Sequence, residues 1–80
     1  MKLEYDKKVD AAYIYLQYPI KKGEAKKTIE LNEQIILDFD KNSKLIGVEV
    51  LDASKLMRKE TLLEAHPAII QKKPSNLQAN

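Results

Sequence analysis

Residues 35–51, IILDFDKNSKLIGVEVL, decide the fold, because they read as two strands and a hairpin. Apolar residues recur at every second position, Ile35, Leu37 and Phe39 before the polar centre and Ile46, Val48 and Val50 after it. Alternation of that kind marks half-buried strands. The turn length then fixes the pairing. A three-residue turn puts Ile35, Leu37 and Phe39 on the face of Leu45, Gly47 and Glu49. A four-residue turn, Lys41 to Lys44, puts them beside Ile46, Val48 and Val50 and leaves one face wholly apolar. Burial of one face selects a register, so the four-residue turn is expected. The opposite face then carries Ile36, Asp38, Asp40, Leu45, Gly47, Glu49 and Leu51.

The same stretch holds a competing motif. Asp38, Asp40 and Asn42 alternate, and Glu49 stands at the twelfth position, the spacing of an EF-hand calcium loop. Position six is Ser43, where that loop needs glycine for its sharp turn, and Lys44 follows it. Both flanks alternate with period two, whereas an EF-hand needs a helix on each side. The stretch is a turn, and no cofactor is expected from it.

Upstream, residues 10–18, DAAYIYLQY, alternate as well, with Ala12, Ile14, Leu16 and Tyr18 on one face and Ala11, Tyr13, Tyr15 and Gln17 on the other. A short strand at Lys2 to Tyr5 precedes it across the turn Asp6-Lys7-Lys8. Pro19 closes it, and residues 20–27 read as a loop about Gly23. The next strand, KTIELN, puts Ile29 and Leu31 on one face. After Leu51 the period changes: Asp52 or Ser54 can cap a helix through SKLMRKETLLEAH, with a break near Lys59 and an end at Pro67. The expected fold is α+β, a four- or five-stranded mainly antiparallel meander followed by a C-terminal helix on one face, over a core of Ile14, Leu16, Ile29, Leu31, Ile35, Leu37, Phe39, Ile46, Val48 and Val50. The domain spans residues 1–72, with 73–80 as a flexible tail.

Eighty residues make one domain, and a chain of that size buries only roughly 60% of its unfolded surface. With no cysteine it has no disulfide to lean on, so self-association is an expected source of stability. The start, MKLEYDKK, is charged where a signal peptide is apolar, and no apolar run approaches the roughly 20 residues a spanning helix needs. A cytoplasmic protein with no membrane partner is the expectation. Fourteen basic against twelve acidic side chains give a net charge of +2, too little to argue for nucleic acid.

Three groups of side chains are candidates for function. Tyr13, Tyr15, Ile36, Leu45 and Leu51 point away from the helix-covered side, and so much apolar and aromatic area calls for a partner. Asp38 and Glu49 are diagonal neighbours in the preferred register, a pair able to act as acid and base or to hold a divalent metal, though an ordinary solvated face explains them as well. Lys21, Lys22, Lys26 and Lys27 would form a phosphate-binding edge if their loop folded beside Lys7 and Lys8. Aromatics are not interleaved with them and Arg58 is the sole arginine, so lysines blunting strand edges are the simpler account. His66, the single histidine, has no nucleophile linked to it in sequence.

The segments YDKKVDAAYIYL and IILDFDKNSKLIGVEVLDASK resemble domain-of-unknown-function family 2283, small bacterial and archaeal proteins. The resemblance rests on Tyr5-Asp6, Asp10-Ala11, Tyr13-Ile14, Leu37-Asp38 with Asp40, and Gly47 leading to Leu51-Asp52-Ala53-Ser54. It covers residues 3–57 and departs mildly at Lys55-Leu56-Met57-Arg58. It implies a small sheet followed by a helix, brings no catalytic residues, and implies an antitoxin-like role beside a toxin-like protein. Together these point to a non-enzymatic interaction module, a homodimer first and a binder of another protein second. The alternatives are a small metal-dependent enzyme using Asp38 and Glu49, or a weak nucleic-acid binder.

Overall fold

The computed structural model describes residues 1–70, so the tail expected at 73–80 lies outside the described residues. Six strands form one sheet: β1 (Lys2–Asp6), β2 (Ala11–Tyr15), β3 (Lys27–Glu30), β4 (Ile35–Phe39), β5 (Leu45–Leu51) and β6 (His66–Pro67). Helices α1 (Ala53–Leu56) and α2 (Lys59–Leu63) fall between β5 and β6 in the chain. The spatial order is β3-β4-β5-β2-β1-β6.

The α+β expectation holds in its coarse form, with three corrections. The sheet has six strands and is mixed, because β6 runs parallel to β1. A two-residue strand ending at a proline leaves no alternation to read. The sheet is also not a simple meander: β2 pairs with β5, and β3 is carried to the far edge. The long connection from Leu16 to Lys26 permits this, giving the return typical of Greek-key strands. Finally, the helical segment is shorter than expected, ending at Leu63 and not at Pro67, while the break expected near Lys59 falls at Met57, whose backbone is extended (φ −116°, ψ 151°).

The central hairpin pairs as its apolar pattern dictates. Ile35 stands opposite Val50, Leu37 opposite Val48, and Asp38 opposite Gly47. The register then slips, so that Phe39 pairs with Leu45 and Asp40 N–H donates to Lys44 O (2.9 Å). The turn is the three residues Lys41 to Ser43, not the four expected, and the slip restores the expected register beyond it. At the tip, Asp40 Oδ1 accepts from the backbone N–H of Asn42 (2.8 Å) and of Lys44 (2.9 Å), and Ser43 takes a left-handed conformation (φ 62°). That is the hydrogen bonding of an aspartate turn, and it accounts for the acidic residues that imitate a calcium loop.

Helix α1 is held at its start by a residue far away in sequence. Asp52, at the N-cap, makes no capping hydrogen bond with its own side chain. Asp10, at the end of the β1–β2 turn, does the work instead. Its Oδ1 accepts from Ser54 N–H (2.9 Å) and from the Tyr5 hydroxyl (2.6 Å), and its Oδ2 accepts from the Ser54 hydroxyl (2.7 Å). Its backbone carbonyl accepts from Ala53 N–H (2.9 Å). The orphan donors of a helix N-terminus are thereby satisfied. Asp10 itself is left-handed (φ 56°), which aspartate tolerates better than most residues. The helix is pinned over β2 at Ala12, where small residues let the layers approach.

The buried apolar residues are Ala11, Ala12, Ile46, Val50 and Ala53, three of them alanines. Leu3, Tyr5, Ile14, Val48, Met57 and Leu62 pack partly buried around them. Among the described residues no large side chain is fully buried. The core therefore sits under the helices, on β1, β2 and β5, and is thin. Leu16, Ile29 and Leu31, expected in the core, are instead 40%, 38% and 62% exposed, because the short helices do not reach them.

Candidate functional site

The two faces of the sheet differ in how they meet solvent. One carries Glu4, Tyr13, Tyr15, Asp38, Gly47 and Glu49, brought into register by the pairs Glu4/Tyr13, Tyr13/Glu49 and Asp38/Gly47. The tyrosines here are tied down. Tyr13 donates its hydroxyl to Asp38 Oδ2 at 2.6 Å, while Thr28 donates to Asp38 Oδ1 at 2.7 Å. Tyr15 donates to Glu4 Oε1 at 3.0 Å. The Tyr13 and Tyr15 rings meet edge to face with centroids 4.6 Å apart, and Tyr15 meets Tyr18 likewise at 5.0 Å. Lys2 closes the row, donating to the Tyr18 hydroxyl at 3.0 Å and pairing with Glu4 at 3.4 Å.

Gly47 makes this packing possible. A Cβ built there would fall on the Tyr13 hydroxyl and within 2.6 Å of its ring Cζ. The tyrosine thus lies flat across the bare backbone of β5 and reaches Asp38 on β4. Burial, and then the hydrogen bond to Asp38, push the Tyr13 phenol far above its ordinary value. The Tyr15 phenol is pushed up to about 12, by burial first and then by its bond to Glu4. Both stay neutral donors at any physiological pH.

Of the five residues expected to meet a partner, Tyr13 and Tyr15 therefore already have partners for their hydroxyls. Ile36 and Leu51 are half-buried on the same face, opposite Glu49 and Ala11. The register slip brings Leu45 opposite Phe39, and direct partners share a side, so Leu45 separates from the other four. Asp38 stands opposite Gly47 as expected, leaving Glu49 its diagonal neighbour. Both Asp38 oxygens accept hydrogen bonds, and among the described residues no group of three or more His, Cys, Asp or Glu side chains is disposed to hold a metal. His66 is exposed on β6.

The lysines do not form one edge. Lys21 and Lys22 lie on the loop, and Lys26 and Lys27 at the start of β3, all exposed and at the Phe39 end of the sheet. Lys7 and Lys8 lie on the β1–β2 turn at the Leu51 end. No described helix is long and apolar enough to cross a membrane.

The opposite face is the open one. Helices α1 and α2 cover its β1, β2 and β5 half, leaving the β3–β4 half bare. Ile29 and Leu31 are exposed there beside half-buried Ile35, Leu37 and Phe39, and Leu16 extends the patch at the end of β2. Separately, a shallow groove lined by Met1, Lys2, Leu3, Ile14, Met57 and Thr61 lies between β1, β2 and the helices. The sequence pattern identified the patch residues as one apolar face and assigned them to the core. The clue that they stay open was the break in the helix, since two turns cannot span six strands.

Most of the remaining motif residues have structural duties. Asp10 and Ser54 secure α1, Asp40 shapes the hairpin tip, and Gly47 admits Tyr13. Asp6 is buried, and its carboxylate accepts from Lys8 N–H (3.0 Å) and from Ile70 N–H (2.8 Å), fixing the segment that follows β6.

The sequence profile of the family "Protein of unknown function (DUF2283)" matches residues 2–54, and the chain belongs to that family. An uncharacterized protein of Methanocaldococcus jannaschii is 40% identical over 57 residues, which cover 70% of this chain and 44% of the relative. The match thus spans less than half the length of that relative. No solved structure matches the chain significantly.

Proposed function

We propose that the protein is a non-enzymatic interaction module, which binds a second copy of itself through the open half of its apolar face. The observation that carries this reading is the uneven use of that face. Beneath the helices it forms the core, while Ile29 and Leu31 at β3 stay exposed beside Leu37 and Phe39 on β4, and Leu16, just past β2, is exposed as well. A contiguous apolar patch on so small a chain marks an interaction surface. The thin core gives the same reading a stability argument, since an associated copy supplies burial that the single chain lacks.

The polar face supports the reading by contrast. Its tyrosine hydroxyls are spent on Asp38 and Glu4, which keep it ordered rather than leave it awaiting a ligand. An antitoxin-like role would use the apolar patch in the same way, against a toxin-like protein in place of a second copy.

Sedimentation of the full chain across a concentration series tests the proposal. Reversible dimerisation is expected, and Leu31→Asp should abolish it while leaving the dilute chain folded, because Leu31 is 62% exposed and contributes little to the monomer. A chain that stays monomeric at every concentration contradicts self-association through this face.

A further inference from the structure

We infer that two copies join along the free edge of β3, antiparallel and centred on Thr28, so that their sheets become continuous. This deepens the self-association reading above and rests on it.

The first observation is the direction of the peptide groups. Strand β3 ends the sheet, with β4 as its single neighbour among the described residues. Opposed residues in an antiparallel ladder alternate between hydrogen-bonded and non-hydrogen-bonded pairs. Leu31 N–H donates to Ile35 O at 2.8 Å, continuing the register in which Ile29 stands opposite Leu37. Leu31 and Ile29 thus turn their peptide groups toward β4. Thr28 and Glu30 turn theirs outward, toward the open edge, and all four residues of β3 are exposed. Lys26, just before the strand, gives its N–H to Phe39 O (2.8 Å), so the outward main-chain donors are those of Thr28 and Glu30, and Lys26 contributes its side-chain charge. Such a row of peptide groups is a template for another strand.

The second observation is charge. The strand runs from Lys27, with Lys26 just before it, to Glu30, with Glu33 in the turn beyond, so it is basic at one end and acidic at the other. A parallel neighbour of identical sequence would set lysine against lysine. An antiparallel one sets lysine against glutamate. Among antiparallel registers, centring on Lys27 opposes that lysine to its own copy, and centring on Glu30 opposes two carboxylates. Centring on Ile29 places Lys27 against Leu31 and leaves Glu30 opposite Thr28. Centring on Thr28 places Lys26 opposite Glu30 of the second copy at both ends. It also lets the two Thr28 residues exchange N–H to C=O bonds, and it lays the Lys27 stem over Ile29. Opposite-charge and threonine pairs are favourable cross-strand neighbours, and a lysine stem can cover apolar surface while its ammonium stays in water. The two open half-faces then adjoin across the two-fold axis as one apolar floor.

The test is a sedimentation series on the full chain and four variants. Lys26→Glu and Glu30→Lys should each weaken the dimer about tenfold, since each makes two repulsive pairs from two attractive ones. The double exchange K26E/E30K should restore affinity to near that of the parent. Thr28→Pro should abolish the dimer, because the lost N–H faces outward and the β4 ladder does not use it. A double exchange no tighter than the single variants overturns the edge pairing. So does a dimer indifferent to all four variants yet dissolved by Leu31→Asp, a result that leaves the apolar-face reading standing. A parent chain that is monomeric throughout overturns both.

Discussion

Replacing Asp10 with alanine should cost about 3 kcal/mol of folding stability, because that carboxylate ties β1 and the start of α1 to the β1–β2 turn. It accepts from Ser54 N–H, from the Ser54 hydroxyl and from the Tyr5 hydroxyl. Loss of a helix cap costs roughly 0.5–2 kcal/mol. Loss of a hydrogen bond to a charged acceptor costs roughly 1.5 kcal/mol at a half-exposed site such as this. Alanine in the left-handed conformation at φ 56° adds about 1 kcal/mol. Two companion variants separate these contributions. Asp10→Gly removes the side-chain bonds but relieves the backbone, so it should cost about 2 kcal/mol. Asp10→Asn keeps the shape and tolerates the left-handed backbone, so it should cost about 1 kcal/mol. Urea unfolding at neutral pH, with a common slope, gives the three values directly. The bond from Tyr5, and then those from Ser54, hold the Asp10 carboxyl below its ordinary value. Its folded value thus lies below its unfolded one. The contribution is fully present above pH 3.8 and is lost as pH falls through the lowered folded value. Asp10→Asn should flatten that part of the acid profile. Three variants within about 0.5 kcal/mol of the parent would refute the capping account, and glycine less stable than alanine would refute the backbone share of it.

Gly47→Ala should force Tyr13 off Asp38 and cost about 1–3 kcal/mol by thermal or urea unfolding, a loss that Tyr13→Ala in the same chain should partly relieve. At alkaline pH, phenolate absorbance should show Tyr15 ionising near pH 12 and Tyr13 later still. Their folded values lie above the unfolded ones, so this stabilisation is complete below about pH 10 and is lost as pH rises through the folded values. Tyr13→Phe should delete the last ionisation, and a single transition near pH 10 for all the tyrosines would contradict the burial of that face. Asp6→Ala should raise hydrogen exchange at Ala68 and Ile70 more than at β2 amides, since Asp6 holds Ile70 N–H directly. Uniform change along the chain would show that the segment is not held locally.

The sequence carried the central hairpin well, because Ile35, Leu37, Val48 and Val50 allow one register to bury a single apolar face and no other register does so. It did not carry the slip at Phe39, since one extra residue leaves the composition unchanged. The helix break near Lys59 was legible from the shifting apolar positions, but the cap was not. Asp10 lies 44 residues from Ser54, and only the completed sheet brings them together. Tyrosine was counted as apolar area, while Glu4 and Asp38, the acceptors that occupy its hydroxyls, were weighed apart from it. The open patch came from residues correctly grouped as one face, with the helix assumed long enough to cover them.

The most direct test of the proposed interaction face is the methyl NMR spectrum of the full chain, recorded from dilute to concentrated solution. Shifts that grow with concentration are expected at Leu16, Ile29, Leu31 and Leu37, while Ile36 and Leu51 on the tyrosine face hold still. Shifts at Ile36 and Leu51 with Ile29 and Leu31 unmoved, or no concentration dependence at all, would contradict the assignment of function to the open apolar half of the sheet.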